Sequence, residues 1–70
     1  MSSESKALFR LRATENIVKD RKKIDGLELE SLLFYTYGIL PRTVARYVDC
    51  LMKIGKIHLE GSLVVYSEKQ

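Results

Sequence analysis

The chain has 70 residues, of which 46% are hydrophobic and 30% are charged, and its formal net charge is +3. This length and composition predict a single folded domain over residues 1–70 and argue against a disordered chain. The one cysteine, Cys50, excludes an internal disulfide and a C-x-x-C zinc knuckle, and no apolar run is long enough for a signal peptide or a membrane span.

The first predicted element is a helix over about residues 5–21, which Ser2 or Ser3 can cap. Small and apolar residues recur there at helical spacing and would face the core: Ala7, Leu11, Ala13, Thr14, Ile17 and Val18. Leu8 and Phe9 fall on either side of this stripe, about 100° apart around the helix. The stripe therefore cannot bury both of these large side chains.

A short extended segment at Lys23–Asp25 follows, with Ile24 pointing inward. Asp25 then caps a second helix over about residues 27–36. The buried edge of this helix comprises Leu29, Leu32 and Leu33. The helix must end at Gly38, because glycine enters the left-handed backbone region without the steric cost that other residues incur.

A third helix is predicted over about residues 41–54, with Pro41 in its first turn and Gly55 ending it. Its apolar residues fall on one face, which we expect to be buried: Val44, Tyr47, Val48, Leu51 and Ile54. The charged residues cluster on the opposite face: Arg42, Arg46, Asp49 and Lys53.

After Gly55 the apolar residues alternate, which predicts a two-stranded β-hairpin over about residues 56–66. Gly61 and Ser62 would form its tight turn, with positive backbone angles. Ile57 and Leu59 would then share one face of the hairpin with Val64 and Tyr66.

From Glu30 to Val48 the pattern fits the helix-turn-helix motif, with a turn at residues 37–39. The stretch RTVARYVDCLMKIGKI, residues 42–57, resembles the winged-helix version, in which a recognition helix runs into a G-K-I that starts the wing. The resemblance covers roughly residues 14–66 and is to winged helix-turn-helix DNA-binding domains, including small regulators of archaeal and viral type. It implies an α+β, mostly α fold: a three-helix winged helix-turn-helix whose wing is the C-terminal two-stranded β-hairpin.

Two positions depart from the family pattern. Phe34 stands where the first motif helix usually has a small residue, which suggests a wider helix crossing. Leu40 stands where Ser or Thr usually caps the recognition helix. Loss of that cap costs about 1 kcal/mol, partly offset because Pro41 fixes its own φ.

The resemblance implies sequence-specific binding of double-stranded DNA, with the third helix in the major groove, and a role in transcription regulation. A groove about 12 Å wide admits one α-helix, whose N-terminal residues reach base edges. Candidate base contacts are therefore Arg42, Thr43 and Arg46, and Lys53 would contact a phosphate. Candidate contacts of the wing and of the basic run before the second helix are Lys56, His58, Ser62, Lys22 and Lys23. We accordingly expect a cytoplasmic protein, nucleoid-associated if the source is prokaryotic.

The basic face also has a simpler interpretation as a solvated surface. Asp49 is spaced to pair with Arg46 at i−3 and with Lys53 at i+4. A lone exposed histidine such as His58 is more often an ordinary surface residue than a DNA contact. The four tyrosines are better explained as core edges than as a base-stacking platform.

Winged-helix domains also serve as protein-docking modules of transcription or replication complexes, since a fold does not determine a function. Leu8, Phe9 and Phe34 favour that alternative, whereas Arg42, Thr43 and Arg46 favour DNA. RNA binding is a third hypothesis, without an RNA-module signature in the sequence. No catalytic triad, phosphate-binding glycine loop or HExxH pair is present, so we expect no enzyme activity, cofactor, metal or small-molecule ligand.

A homodimer is predicted, because one recognition helix covers only a few base pairs and a two-fold dimer lengthens the site. Leu8 and Phe9 are the candidate interface residues, since burial of each is worth roughly 1.5–3 kcal/mol. The alternative is that Phe9 folds back under the wing or lies exposed near the terminus.

Overall fold

Three helices and three short strands make up the structure, a computed structural model that describes residues 3–67. In chain order they are α1 (Ser3–Arg21), β1 (Lys23–Asp25), α2 (Gly26–Tyr37), α3 (Pro41–Lys53), β2 (Ile57–Glu60) and β3 (Leu63–Tyr66). The fold is α+β and mostly helical, and the order of its elements is that of a winged helix, as predicted.

The helix α1 begins at Ser3, slightly earlier than predicted, and Ser2 lies outside the described residues. Thr14 and Val18 are buried, and the Thr14 hydroxyl donates to the Arg10 carbonyl at 2.9 Å, so its burial leaves no polar atom unsatisfied. The predicted burial of Ala7 is wrong. Residues 6–10 are all exposed, so the face of α1 that packs on the core begins only at Leu11.

The start of α2 is capped as predicted. The Asp25 carboxylate accepts a hydrogen bond from the Leu27 N–H at 2.9 Å, which satisfies one of the free donors of the first turn. At the other end Gly38 has φ 71°, and its N–H donates to the Phe34 carbonyl at 2.8 Å. Both limits of this helix therefore follow from local chemistry.

The helix α3 begins at Pro41 and has no side-chain cap, as Leu40 predicts. The Leu40 carbonyl instead accepts the N–H groups of Thr43 and Val44 at 2.9 and 3.0 Å. The predicted burial of Ile54 is wrong, since 58% of it is exposed. The helix ends at Lys53, so the helical phase that would have turned Ile54 inward no longer applies.

The three strands form one antiparallel sheet in the order β1-β3-β2. The predicted extended segment before α2 is thus a strand, β1, which adds to the hairpin by pairing with β3. Its Ile24 is paired with Val64. Ile57 is paired with Tyr66, and Leu59 with Val64, so the four side chains share one face of the hairpin, as predicted. Leu59 is nevertheless 50% exposed, because it lies on the edge strand and near the turn.

The core takes at least one side chain from every element: Val18, Ile24, Leu29, Leu33, Ile39, Val44, Leu51, Ile57 and Val64. Phe34 is not part of it and is more than half exposed, so it does not lie in a close helix crossing. Within residues 3–67 no helix has both the length and the apolar character needed to cross a lipid bilayer.

Candidate nucleic-acid interface

The N-terminal half of α3 presents a compact basic site. Arg42 and Arg46 are exposed, Thr43 is half-buried, and the three line one concavity. The i, i+4 spacing of the arginines places both guanidinium groups on one face of the helix. Within residues 6–67 neither guanidinium has a hydrogen bond or an ion pair to another side chain, and the first turn has no acidic residue. Both groups are therefore available to an anionic ligand.

The C-terminal end of α3 is different, because Lys53 is paired. Its ammonium lies 3.1 Å from the Asp49 carboxylate, an i, i+4 contact with both side chains exposed. This confirms one of the two pairs expected from the solvated-surface interpretation, while Arg46 has no such pair among the described side chains. An exposed pair of this kind contributes only about 0–1 kcal/mol, so Lys53 can exchange Asp49 for a phosphate at small cost.

The outer face of the sheet brings together residues that are distant in sequence. Lys23 is paired with Val65 and Val65 with His58, so the three side chains form one row across the strands. Lys22 and Ser67 line the same shallow concavity. Of the predicted wing contacts, His58 is therefore a neighbour of Lys22 and Lys23 on one surface, whereas Lys56 and Ser62 lie outside this concavity.

His58 is held in place by both ring nitrogens. Nε2 lies 2.9 Å from a Glu60 carboxylate oxygen, and Nδ1 lies 2.8 Å from the Ser67 hydroxyl. A carboxylate only accepts hydrogen bonds, so Nε2 carries a proton and donates to Glu60. His58 thus already has a carboxylate partner, which weakens it as a phosphate contact.

The hairpin turn is tied back to the start of α2 and is acidic. The Ser62 carbonyl accepts the Gly26 N–H at 2.9 Å, and the Ser62 hydroxyl donates to the second Asp25 oxygen at 3.2 Å. Glu60 and Asp25 are both paired with Leu63 and so flank the turn on one face. Ser62 is therefore the least suited of the predicted contacts, because its hydroxyl is engaged and two carboxylates lie beside it. Lys56, which is half-buried, precedes β2 at the other end of the hairpin.

The candidate interface residues of the homodimer are exposed, Leu8 by 48% and Phe9 by 62%. Phe9 also contacts the ring of Tyr37 edge to face, with ring centroids 6.0 Å apart. It therefore folds back against the end of α2 and not under the wing. Sequence reasoning missed this aromatic pair, because no local pattern relates the first helix to the end of the second.

No group of three or more His, Cys, Asp or Glu side chains in the described part of the chain is placed to hold a metal ion. Comparison with protein-family models, with curated proteins and with solved structures finds no match.

Proposed function

We propose that this protein binds double-stranded DNA sequence-specifically, with α3 as its recognition helix, and regulates transcription. One observation carries the proposal. Two exposed guanidinium groups and a hydroxyl, those of Arg42, Arg46 and Thr43, line one concavity at the start of α3, with no acidic residue in the first turn. An arginine fork matches the two acceptors on the major-groove edge of guanine.

The spacing of the arginines suits neighbouring base pairs. Four residues of α-helix rise about 6 Å, close to the rise of two stacked base pairs at about 3.4 Å each. Arg42 and Arg46 can therefore address bases two steps apart along the groove. Thr43 lies beside them and can contact a thymine methyl group or a phosphate.

Backbone contacts come from the remaining basic residues. Lys53 lies on the same exposed face of α3, and Lys23 lies on the outer face of the sheet. Lys56 and Lys22 are close to these positions in sequence. Because the hairpin turn is acidic, we expect the wing to contact the DNA backbone through Lys56 at its other end and not through Ser62.

The DNA-bound form is proposed to be a two-fold dimer, with Leu8 and Phe9 in or beside the interface. The exposure of both side chains supports this, because each leaves apolar surface that a second subunit can cover. Such a protein works wherever its DNA is, which in a prokaryote is the nucleoid in the cytoplasm.

The test is selection of preferred duplexes from a random pool, followed by binding measurements on an Arg42→Ala/Arg46→Ala variant. We expect the selected duplex to lose roughly 1–3 kcal/mol of binding free energy per arginine, until it binds no better than random DNA. Arg10→Ala, a single change of an exposed arginine on α1, is the control and should keep the preference. Retention of full preference by the double variant would show that α3 does not recognise the bases.

A further inference from the structure

A groove of about 940 Å³ runs along α1, mostly outside the proposed DNA interface. Phe9, Ala13 and Ile17 lie along it at i, i+4 and i+8, on one face of the helix. Tyr37 from the end of α2 and Tyr66 from the end of β3 complete its apolar lining. From Phe9 to Ile17 this apolar strip is about 12 Å long, the length of two helical turns.

The rim of the groove is basic. Arg12, Lys19 and Lys22 line it, against the single acidic residue Asp20. Residues 6–23 as a whole contain seven basic and two acidic side chains. Among the side chains of residues 6–67, Arg12 and Lys19 have neither an ion pair nor a hydrogen bond. Two free cations therefore border an apolar strip.

We propose that this groove binds an acidic amphipathic helix of a partner protein. A helix of that kind places apolar side chains at i, i+4 and i+7 into a groove, which matches the two-turn length of the strip. Its acidic flanks would meet Arg12 and Lys19, where opposite charge speeds association and selects the partner. The inference does not rest on DNA binding, because it uses α1 and the test contains no duplex.

Two other occupants fit the groove less well. A second copy of the chain that filled this groove with its own α1 groove face would set the basic rim against an equally basic one, and like charges facing each other are unfavourable. The proposed dimer contact at Leu8 lies outside the groove lining. A single-stranded nucleic acid needs rings on which successive bases stack. The Phe9 and Tyr37 rings meet at 82°, edge to face, and so offer no continuous stacking surface.

The probe is a fluorescently labelled synthetic peptide of about 25 residues, with leucines at i, i+4 and i+7, glutamates at the positions that flank them and alanines elsewhere, which exceeds the length at which an isolated helix is marginal. We expect it to bind the parent protein, measured by fluorescence anisotropy, and to bind Arg12→Glu roughly fivefold or more weakly. Arg10→Glu, two residues away and outside the groove, is the matched control and should bind like the parent. Versions of the peptide with lysine for glutamate, or serine for leucine, should not bind.

Several outcomes would overturn the proposal. Equal weakening by Arg12→Glu and Arg10→Glu would mean that the peptide senses only net charge. Binding of the lysine peptide would remove the charge argument. If the peptide does not bind, and oligothymidine binds the parent protein but not Arg12→Glu, the groove binds single-stranded nucleic acid. If the peptide fails to bind and Lys19→Glu alters self-association in sedimentation velocity, the groove takes a second copy.

Discussion

At the scale of single residues, Lys53 and Arg46 lie on one face of α3 but differ in their ion pairing. Arg46 is unpaired among the described side chains, whereas Lys53 is neutralised by Asp49 at 3.1 Å. A base contact needs unpaired hydrogen-bond donors in a defined orientation, whereas a phosphate contact needs only a positive charge nearby. Under the proposed function, base contacts are therefore expected at the Arg42 end of this face and a phosphate contact at Lys53.

For Lys53→Ala we expect weaker binding to all duplexes alike, because a phosphate contact carries no sequence information. The slope of log K against log salt should become shallower by about one, measured by titration at several salt concentrations. Asp49→Asn is the informative counterpart, since it frees Lys53 and should strengthen binding to every duplex. A change of sequence preference in Lys53→Ala would assign this residue to a base instead.

Asp25 joins two elements through one carboxylate, which accepts from the Leu27 N–H and from the Ser62 hydroxyl. Asp25→Ala should lower the free energy of unfolding by roughly 1–2 kcal/mol, because it removes a helix cap and the link to the hairpin. Urea denaturation measures this loss. Ser62→Ala removes the link alone and should cost less. Equal losses in the two variants would mean that the cap contributes nothing.

At the scale of elements, the hairpin depends on one backbone conformation. Gly61 has φ 63°, while Ser62 is not in the positive region, the arrangement of a two-residue turn with glycine first. The prediction of positive angles is thus confirmed for Gly61 and wrong for Ser62. A single left-handed residue suffices here, because a two-residue turn with glycine first needs a positive φ only at that glycine.

Gly61→Val should destabilise the protein by about 1–2 kcal/mol or more, since a β-branched residue is poorly tolerated at positive φ. An added Cβ would meet nothing within 4 Å, so the cost comes from the backbone and not from crowding. The melting temperature should fall by roughly 4–8 °C per kcal/mol. Gly61→Asn, which tolerates this region, is the control. A melting temperature unchanged by valine would be incompatible with the turn described.

At the scale of the whole molecule, exposed apolar side chains surround the end where α1 begins and α2 ends. Leu8 and Phe9 lie on α1, and Phe34 lies on α2. Phe9 already has Tyr37 as a partner within the chain. Leu8, which is not among the residues that line the groove, therefore tests the dimer prediction more directly.

We expect the protein to sediment as a dimer at tens of micromolar and Leu8→Ser to shift it toward monomer. Burial of one leucine from each subunit contributes roughly 1.5–3 kcal/mol per side chain, enough to matter for a weak dimer. Binding of the acidic peptide should survive Leu8→Ser, which separates this surface from the groove. A parent protein that is monomeric at that concentration would disprove the dimer. A dimer unaffected by Leu8→Ser or Phe9→Ser would move the interface to Phe34 or to the end of the wing.

The sequence by itself determined the order of the elements and most of their limits. Asp25, Gly38 and Gly61 act through backbone preferences that extend over a few residues, so their effects could be predicted without knowing the rest of the chain. The periodicity of α3 likewise identified Val44 and Leu51 as buried and placed Arg42 and Arg46 on the opposite face.

Only the tertiary structure decided which surfaces are covered and which distant residues meet. Pairing of β1 with β3 made a three-stranded sheet out of a predicted hairpin and placed Lys23 in line with His58. The same folding left Ala7 and Ile54 exposed, set Asp25 beside Ser62, and closed the α1 groove with Tyr37 and Tyr66. Burial and contact between such residues depend on how whole elements pack, whereas periodicity reports only which side of its own element a residue occupies.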